Sequence, residues 1–388
     1  MPIVNRIAEF ASDMQVWRRY LHQNPELGFD CHNTARFVVD RLRDMGMDEI
    51  HTGIAQTGVV ALIHGIGDGP VIGLRADMDA LPIVEATGAE YASTVPGKMH
   101  ACGHDGHTTM LLGAARYLAE TRRFQGTVAL IFQPAEESGG GGGVMVDEGM
   151  IERFGITQAF ALHIDPHMPL GHMRTCVGPI MAAVDDFAIT ITGRGGHAAY
   201  PDEVIDPIPP ALALVQGYNT IVSRNTDPVK QLVISTTQIQ CGEADNVVPD
   251  TVFVGGTIRS FDVDVQRMAH TRMHDIARGL EAAFDVKIDV TINIGYPATV
   301  NSAAQTELAA RVARDVVGDA AFDANTGAEM GAEDFAYISQ KVPGCYLFLG
   351  QGHGPTYHNA GFDFNDQAAP VGASFFARLV ETAMPMGE

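Results

Sequence analysis

Residues 99–107 of this 388-residue chain read MHACGHDGH and combine one thiol, three imidazoles and one carboxylate with glycines at which the backbone can bend. Cysteine sulfur, histidine nitrogen and carboxylate oxygen are the ligands that zinc-like ions take in proteins. Cys102 and His104 are two positions apart, so both side chains point the same way on an extended or turning segment, whereas a helix would separate them. The stretch therefore predicts a metal site.

Three further segments place nitrogen or oxygen ligands at the ends of apolar runs, namely QPAEE at 133–137, LHID at 162–165 and YHNA at 357–360. In the first segment Glu136 and Glu137 are adjacent and diverge, which suits a division between binding a metal and moving protons. A metal ion lowers the pKa of its bound water from ~15.7 to about 7, so a neighbouring carboxylate can deprotonate that water and later protonate a leaving amine. Together these segments predict metal-assisted hydrolysis of a carbonyl compound, most naturally an amide.

Helical and strand patterns alternate along the first part of the chain, which predicts an α/β fold with a mostly parallel sheet covered by helices. In such sheets, ligands collect at the carboxyl ends of the strands, where Asp77, Glu136 and His163 fall. Asn33 stands where it could cap the second helix. The periodicity predicts helices over residues 3–22, 34–45 and 108–119 and strands over residues 59–63, 71–74, 127–132 and 159–162.

A different pattern begins near residue 182. The order of elements becomes β-α-β-β-α-β, which is typical of a ferredoxin-like α+β module. A chain of this length exceeds the size at which one core keeps growing. We therefore expect a catalytic metal-binding domain formed by residues 1–181 and 297–388, with residues 182–296 as an inserted domain. The predicted strands are 187–192, 232–238, 252–258 and 287–292, and the predicted helices are 207–223 and 263–284.

The charge balance excludes several classes of partner. The chain has 47 acidic and 25 basic side chains, a net charge of -22, which repels phosphate backbones and anionic membrane surfaces. No apolar run reaches the ~20 residues that span a bilayer, and the first six residues lack the pattern of a signal peptide. Five scattered cysteines suggest reduced thiols rather than disulfides. We expect a cytoplasmic protein with a small-molecule substrate, no nucleic acid partner and no membrane partner.

One low-complexity patch, the five glycines at 139–143, could suggest a phosphate-binding loop. No Lys-Ser or Lys-Thr pair follows it, and no dinucleotide-binding context surrounds it. We interpret the patch instead as a flexible entry to a helix that contains residues 144–150.

Seven segments, in the right order and covering nearly the whole chain, resemble the amidohydrolase branch of the aminoacylase/carboxypeptidase metallopeptidase family. Hippurate hydrolases, N-acyl-amino-acid deacylases and auxin-conjugate hydrolases belong to that branch. The segments are HQNPELGF at 22–29, LRADMDALP at 74–82, CGH at 102–104, QPAEE at 133–137, GGHAA at 195–199, NVVP at 246–249 and GAEDF at 331–335.

The resemblance implies a dinuclear enzyme that cleaves the amide of an N-acyl amino acid by attack of metal-bound hydroxide. Glu136 would be the general acid/base, and His197 of one subunit would stabilise the oxyanion in the partner's site. The inserted domain would then be a lid and dimerisation domain of a homodimer. Asn246 and Arg259 match substrate-contacting positions, and a guanidinium suits a substrate carboxylate. The ligands of two divalent ions would be Cys102, His104, Glu137, His163 and His358.

The ions could be zinc, manganese, cobalt or nickel. The sequence has Asp77 and Asp79 where a His-x-Asp motif is common in the broader family, and it has Cys102 where many relatives carry a bridging aspartate. We expect Asp79, His100 and His107 to support or orient ligands rather than bind metal. Two other functions stay open from the sequence: a dipeptidase or carboxypeptidase with the same site, and a non-catalytic metal-dependent binding protein.

Overall fold

The computed structural model describes residues 4–387, which divide into two compact units. Residues 4–180, 299–328 and 334–387 form the first unit, and residues 181–298 and 329–333 form the second. Ile3, where the first predicted helix begins, lies outside the described residues, as do the first two residues of the segment tested for a signal peptide.

The predicted helices are present, except that the first is divided and the helix expected over residues 144–150 ends at Asp147, before α6 begins at Met150. The first predicted helix is divided at the buried Phe10, whose backbone leaves the helical region with φ -110° and ψ 20°. The helices are α1 (Asn5–Glu9), α2 (Ala11–Gln23), α3 (His32–Asp44), α4 (His104–Thr121), α5 (Gly141–Asp147), α6 (Met150–Phe154), α7 (Ile208–Thr220), α8 (Val263–Phe284), α9 (Ala303–Val317), α10 (Phe335–Ser339) and α11 (Ala369–Ala383).

All predicted strands are present, each within a residue or a few of its expected bounds. The strands are β1 (Glu49–Ile54), β2 (Gly58–His64), β3 (Val71–Asp77), β4 (Thr127–Gln133), β5 (Ile156–Asp165), β6 (Met173–Arg174), β7 (Gly178–Met181), β8 (Ala183–Thr192), β9 (Gly196–His197), β10 (Leu232–Gln240), β11 (Val247–Val248), β12 (Thr251–Ser260), β13 (Lys287–Ile294), β14 (Thr299–Asn301), β15 (Phe322–Asp323) and β16 (Gly344–Gly350).

The first unit is built on an eight-stranded sheet in the order β1-β2-β4-β3-β5-β16-β6-β15. Its four central strands, β4, β3, β5 and β16, pair in parallel, and β1 and β2 add an antiparallel edge. Strands buried on both faces need continuous apolar runs, and β4 reads TVALIFQ. The mostly parallel sheet is confirmed, and its carboxyl ends lie at Asp77, Gln133 and Asp165.

The second unit has a four-stranded antiparallel sheet in the order β10-β12-β8-β13, with α7 and α8 packed on one face. Phe187, Ile189 and Ile191 alternate along β8 and point into its core, as expected for a sheet with one buried face. The predicted β-α-β-β-α-β order is confirmed. The pair β9 and β11 forms a separate two-stranded ladder.

Two local predictions are wrong. Asn33 does not cap α3, which begins one residue earlier, because the carboxylate of Glu26 instead accepts the backbone N–H groups of Asn33 (2.9 Å) and Thr34 (2.8 Å). The glycines at 141–143 are not a flexible entry but lie inside α5. A Cβ at Gly141 would stand 1.8 Å from the carbonyl oxygen of Pro134, so only glycine permits this close approach.

Between residues 4 and 387, no helix is both long enough and apolar enough to span a membrane.

Candidate metal centre

The centre lies at the carboxyl ends of β3, β4 and β5, where α4 begins. Gly103 joins Cys102 to His104, the first residue of α4, in the left-handed conformation with φ +91°. A Cβ at Gly103 would lie 2.8 Å from Cγ1 of Ile164, so a larger residue would be excluded by both the backbone and the packing. The sequence CGH thus turns into the helix with both ligand side chains directed to one place.

The structure brings together the five side chains expected to bind metal. Cys102 Sγ lies 3.5 Å from His163 Nε2, and Glu137 lies 3.8 Å from His104 Nε2 and 3.3 Å from His358 Nε2. The ligand atoms of Cys102, His104 and His163 fall within 4.8 Å of one another, and so do those of Cys102, Glu137 and His358. The 3.8 Å between Glu137 and His104 is too long for a hydrogen bond but leaves room for a cation between the two atoms.

The hydrogen bonds of the two buried histidines leave their Nε2 atoms directed at the centre. His104 Nδ1 donates to the carbonyl oxygen of Asp79 (2.8 Å), and His163 Nδ1 donates to that of Ile164 (2.7 Å). Among the described residues, His104 Nε2 and Glu137 Oε1 have no hydrogen-bond partner although both atoms are buried. Neutral His104, with its proton on Nδ1, presents Nε2 as an acceptor that faces Glu137 Oε1 across 3.8 Å, and a divalent ion fits between two such atoms, so the donor set suits the metal that the sequence implies.

The centre carries an excess of negative charge. Burial lowers the pKa of His104, but Asp77, Asp79 and Glu137 outweigh it and raise that pKa to about 10. Burial, followed by the charges of Glu137 and Glu136, raises the pKa of the Cys102 thiol well above its usual value. A cation reverses this effect on a thiol that it contacts. The electrostatics therefore favour a cation here.

Asp79 is hydrogen-bonded to three expected site residues, His104, Glu136 and Glu137, which fits the supporting role expected for it. Its carboxylate accepts the backbone N–H groups of Glu136 (2.9 Å) and Glu137 (3.2 Å), and its carbonyl oxygen accepts from His104. Ala135, in the same turn, has a left-handed φ of 57°. One aspartate thus fixes the turn that separates the two glutamates.

The hydrogen bonds of His107 fit the supporting role that is expected for it. Its Nδ1 donates to Asp77 Oδ1 (2.7 Å), while its Nε2 accepts the backbone N–H of Ile164 (3.0 Å), so both ring nitrogens are occupied. Arg75 donates to Asp77 (2.6 Å) and to Asp334 (2.8 Å), and all three charged groups are buried. No role is predicted for Arg75 or Asp334 from the sequence, although both lie in the segments that carry the resemblance.

His22 lies in the last turn of α2, as expected, but it also joins a buried charge network. Its ring nitrogens contact Asp105 (2.7 Å) and Glu85 (3.3 Å). Burial lowers the pKa of His22, but its bonds to Asp105 and Glu85 raise it to about 9. Asp105 follows the expected ligand His104 directly, so the network anchors the first turn of α4. His100, buried nearby, has no hydrogen-bond partner on either ring nitrogen among the described residues.

This network predicts a pH-dependent contribution to stability. Because folding raises the pKa of His22 from 6.5 to about 9, the protonated ring contributes its full stabilisation below pH 6.5. This contribution disappears as the pH rises through 9. We expect His22→Gln to lower the free energy of unfolding by up to about 3 kcal/mol at pH 6.5 and by much less at pH 10. Urea unfolding at both pH values measures this, with the exposed His353→Gln as control. An equal loss at the two pH values would contradict it.

The remaining expected site residues lie in the second unit. His197 pairs with Val247 in the β9–β11 ladder, and the carbonyl oxygen of Asn246 accepts the backbone N–H of Ala198 (3.0 Å), so His197 and Asn246 are neighbours. Both are exposed. The structure does not bring Arg259 to them. It donates through Nη1 to Thr257 Oγ1 and to the carbonyl oxygen of Ile258, near the far end of β12.

The distance of Arg259 from the segment that carries His197 can be estimated along β12. Gly195, beside His197, donates its backbone N–H to Asp250 (2.8 Å), just before β12 begins at Thr251. Arg259 lies eight residues further along the strand, which is ~26 Å at about 3.3 Å per residue.

A mostly parallel sheet with a cluster of histidine, cysteine and carboxylate side chains at its carboxyl ends is typical of metal-dependent hydrolases. The chain belongs to peptidase family M20/M25/M40, with a match over residues 73–382. The family expected from the motifs is confirmed.

Three similar proteins illustrate the range of the match. The hippurate hydrolase of Campylobacter jejuni is 36% identical over 382 residues, covering 98% of both chains. The N-acetyl-L-cysteine deacetylase of Bacillus subtilis is 40% identical over 368 residues, covering 94% of this chain and 86% of its own. The crystal structure of a dinuclear metal-binding M20 peptidase from Bacillus subtilis superposes with a TM-score of 0.86 at 32% identity, covering 97% of this chain and 99% of its own.

Proposed function

We propose that the protein is a metal-dependent amidohydrolase that cleaves N-acyl amino acids into a carboxylate and a free amino acid. The observation that carries the proposal is the buried pair His104 Nε2 and Glu137 Oε1, two acceptors 3.8 Å apart without hydrogen-bond partners in the described chain, beside Glu136. The relatives named for hippurate and N-acetyl-L-cysteine act on substrates of this class.

Cys102, His104, Glu137, His163 and His358 are the proposed ligands of two divalent ions. When bound, such ions polarise an amide carbonyl and make a water molecule more acidic. Support for a dinuclear site comes from the two overlapping groups of ligand atoms and from the M20 relative described as dinuclear.

Glu136 is the proposed general acid/base. Its Oε2 lies 4.0 Å from His104 Nε2, at the edge of the cluster, and its backbone is fixed by Asp79. From this position Glu136 takes the proton of the attacking water on its carboxylate and delivers it to the nitrogen of the leaving amine. Glu137 points instead to His104 and His358. Of the two adjacent carboxylates, Glu137 therefore binds metal and Glu136 transfers protons.

A substrate panel tests the proposal. We expect the metal-loaded protein to hydrolyse N-benzoylglycine or N-acetylated amino acids, and to lose this activity after treatment with a chelator and regain it when divalent metal is added. Simple dipeptides should be poorer substrates. Cleavage of dipeptides alone would make the protein a peptidase, and metal binding without hydrolysis of any member would make it a binding protein.

We also propose a homodimer in which residues 182–296 form the lid and dimerisation domain. His197 and Asn246 of one subunit contact the substrate in the partner's site, while Arg259 binds the substrate carboxylate. The ~26 Å estimated along β12 from Thr251, close to the segment that carries His197, to Arg259 is far longer than an N-acyl amino acid. His197 and Arg259 can therefore contact the same substrate molecule only if they come from different subunits.

Subunit mixing tests the dimer. If His197 acts across the interface, a heterodimer of one Glu136→Gln chain and one His197→Ala chain has one complete site. We expect heterodimers purified through two different tags to show about half of the wild-type activity, while both parent homodimers are nearly inactive. Heterodimers no more active than the parents would place His197 in its own subunit's site.

The cytoplasmic location stays a proposal. The five cysteines are all free, at 31, 102, 176, 241 and 345, which suits a reducing compartment.

A further inference from the structure

We propose that Tyr357 is a positioning residue that holds two metal ligands, His163 and His358, in a fixed relation. The inference rests on the ligands assigned under the proposed function. Tyr357 precedes His358 in the chain and contacts His163 in space, although these two histidines come from segments far apart in the sequence.

The carbonyl oxygen of Ile164 joins Tyr357 to His163. The Tyr357 hydroxyl donates to this oxygen at 2.7 Å, and His163 Nδ1 donates to the same oxygen at 2.7 Å. A carbonyl oxygen has two lone pairs, so the two donors together satisfy it. The Tyr357 ring also meets the His163 ring edge-on, with centroids 5.3 Å apart and planes at 79°. The imidazole orientation is thus set by a hydrogen bond whose acceptor Tyr357 also bonds and by packing against the Tyr357 ring.

The backbone N–H of Ile164 is also hydrogen-bonded. It donates to His107 Nε2 at 3.0 Å. When the Tyr357 hydroxyl is removed, the carbonyl loses one of its two partners, and the direction that it imposes on His163 Nδ1–H becomes less defined. Groups that bind the outer nitrogen of a metal-ligating histidine typically contribute 10–100-fold to metal affinity.

Tyr357 also restrains the segment that carries His358. His358 has a left-handed φ of 57°, a conformation that costs a non-glycine residue on the order of 1 kcal/mol or more. Its backbone N–H donates to Ala101 (2.8 Å), one residue before Cys102, and the Tyr357 hydroxyl supplies the adjacent attachment. The backbone that carries His358 is therefore attached at two consecutive residues, Tyr357 and His358.

Tyr357→Phe tests the inference because it removes only the hydroxyl. The matched control is Tyr117→Phe, which removes a hydroxyl that donates to Glu381 at 2.8 Å. Tyr117 lies thirteen residues along α4 from His104, ~20 Å at 1.5 Å per residue. We titrate each metal-free protein with Co²⁺ and follow the thiolate-to-cobalt absorption of Cys102, with melting of the metal-free forms to confirm folding.

We expect Tyr357→Phe to weaken cobalt binding several-fold, less than the roughly 10–100-fold that loss of the outer partner itself costs, and to alter the absorption band, while Tyr117→Phe stays within about twofold of wild type. Equal affinities and spectra for the two variants would overturn the inference and leave the ligand assignment standing. A wild-type protein that binds no cobalt would overturn the assignment itself and this inference with it.

Discussion

Glu136→Gln is expected to lower kcat for an N-acyl amino acid by about 10²–10⁴-fold and to leave the metal content unchanged. A glutamine amide has the size of the carboxylate but cannot accept a proton from water and return it to the leaving nitrogen. The contact that positions residue 136 involves its backbone N–H and Asp79, so the substitution preserves it. Steady-state kinetics and metal analysis of the same preparation measure both effects.

The neighbouring residue provides the matched control. Glu137→Gln alters the carboxylate that contacts His104 and His358, so we expect this variant to lose metal together with activity. If Glu136→Gln kept more than about a tenth of wild-type kcat, Glu136 would not be the acid/base.

Cys102→Ala is expected to reduce bound metal from two ions to fewer than one per chain and to abolish hydrolysis. Cys102 Sγ belongs to both groups of ligand atoms, those with His163 and with His358, so its removal affects both positions. Elemental analysis of protein purified without chelator measures the loss.

Cys345→Ala is the control for this variant. It also removes a buried thiol, but that thiol contacts Thr175 at 3.6 Å rather than the expected ligands. Both substitutions create a similar small cavity, and only one deletes a ligand. Full metal occupancy in Cys102→Ala would show that the thiol is a packing group.

Local periodicity was sufficient to predict most of the architecture. The run TVALIF in β4 has apolar side chains on both faces, which a strand inside a parallel sheet requires, and α8 has the predicted bounds. The strand β1 was missed because it lies at the sheet edge, where only Ile54 is buried and no alternation marks it. The predicted strand ends also located the centre, since β3, β4 and β5 finish beside the expected ligands.

The supporting contacts could not be predicted because they join residues that are distant in sequence. Arg75 meets Asp334 across 259 positions, and His22 meets Asp105 across 83. The chain has 47 acidic side chains, and nothing in the spacing tells which of them reaches a given buried cation. The Ile164 carbonyl that joins Tyr357 to His163 belongs to the backbone, whose direction becomes defined only when the fold is known.

Anomalous diffraction at the zinc absorption edge, from crystals grown with zinc, tests the central claim most directly. We predict two peaks per chain, at about 2.0–2.3 Å from side-chain atoms of Cys102, His104, Glu137, His163 and His358. Absence of any peak at these side chains, or peaks only at other sites, would contradict it.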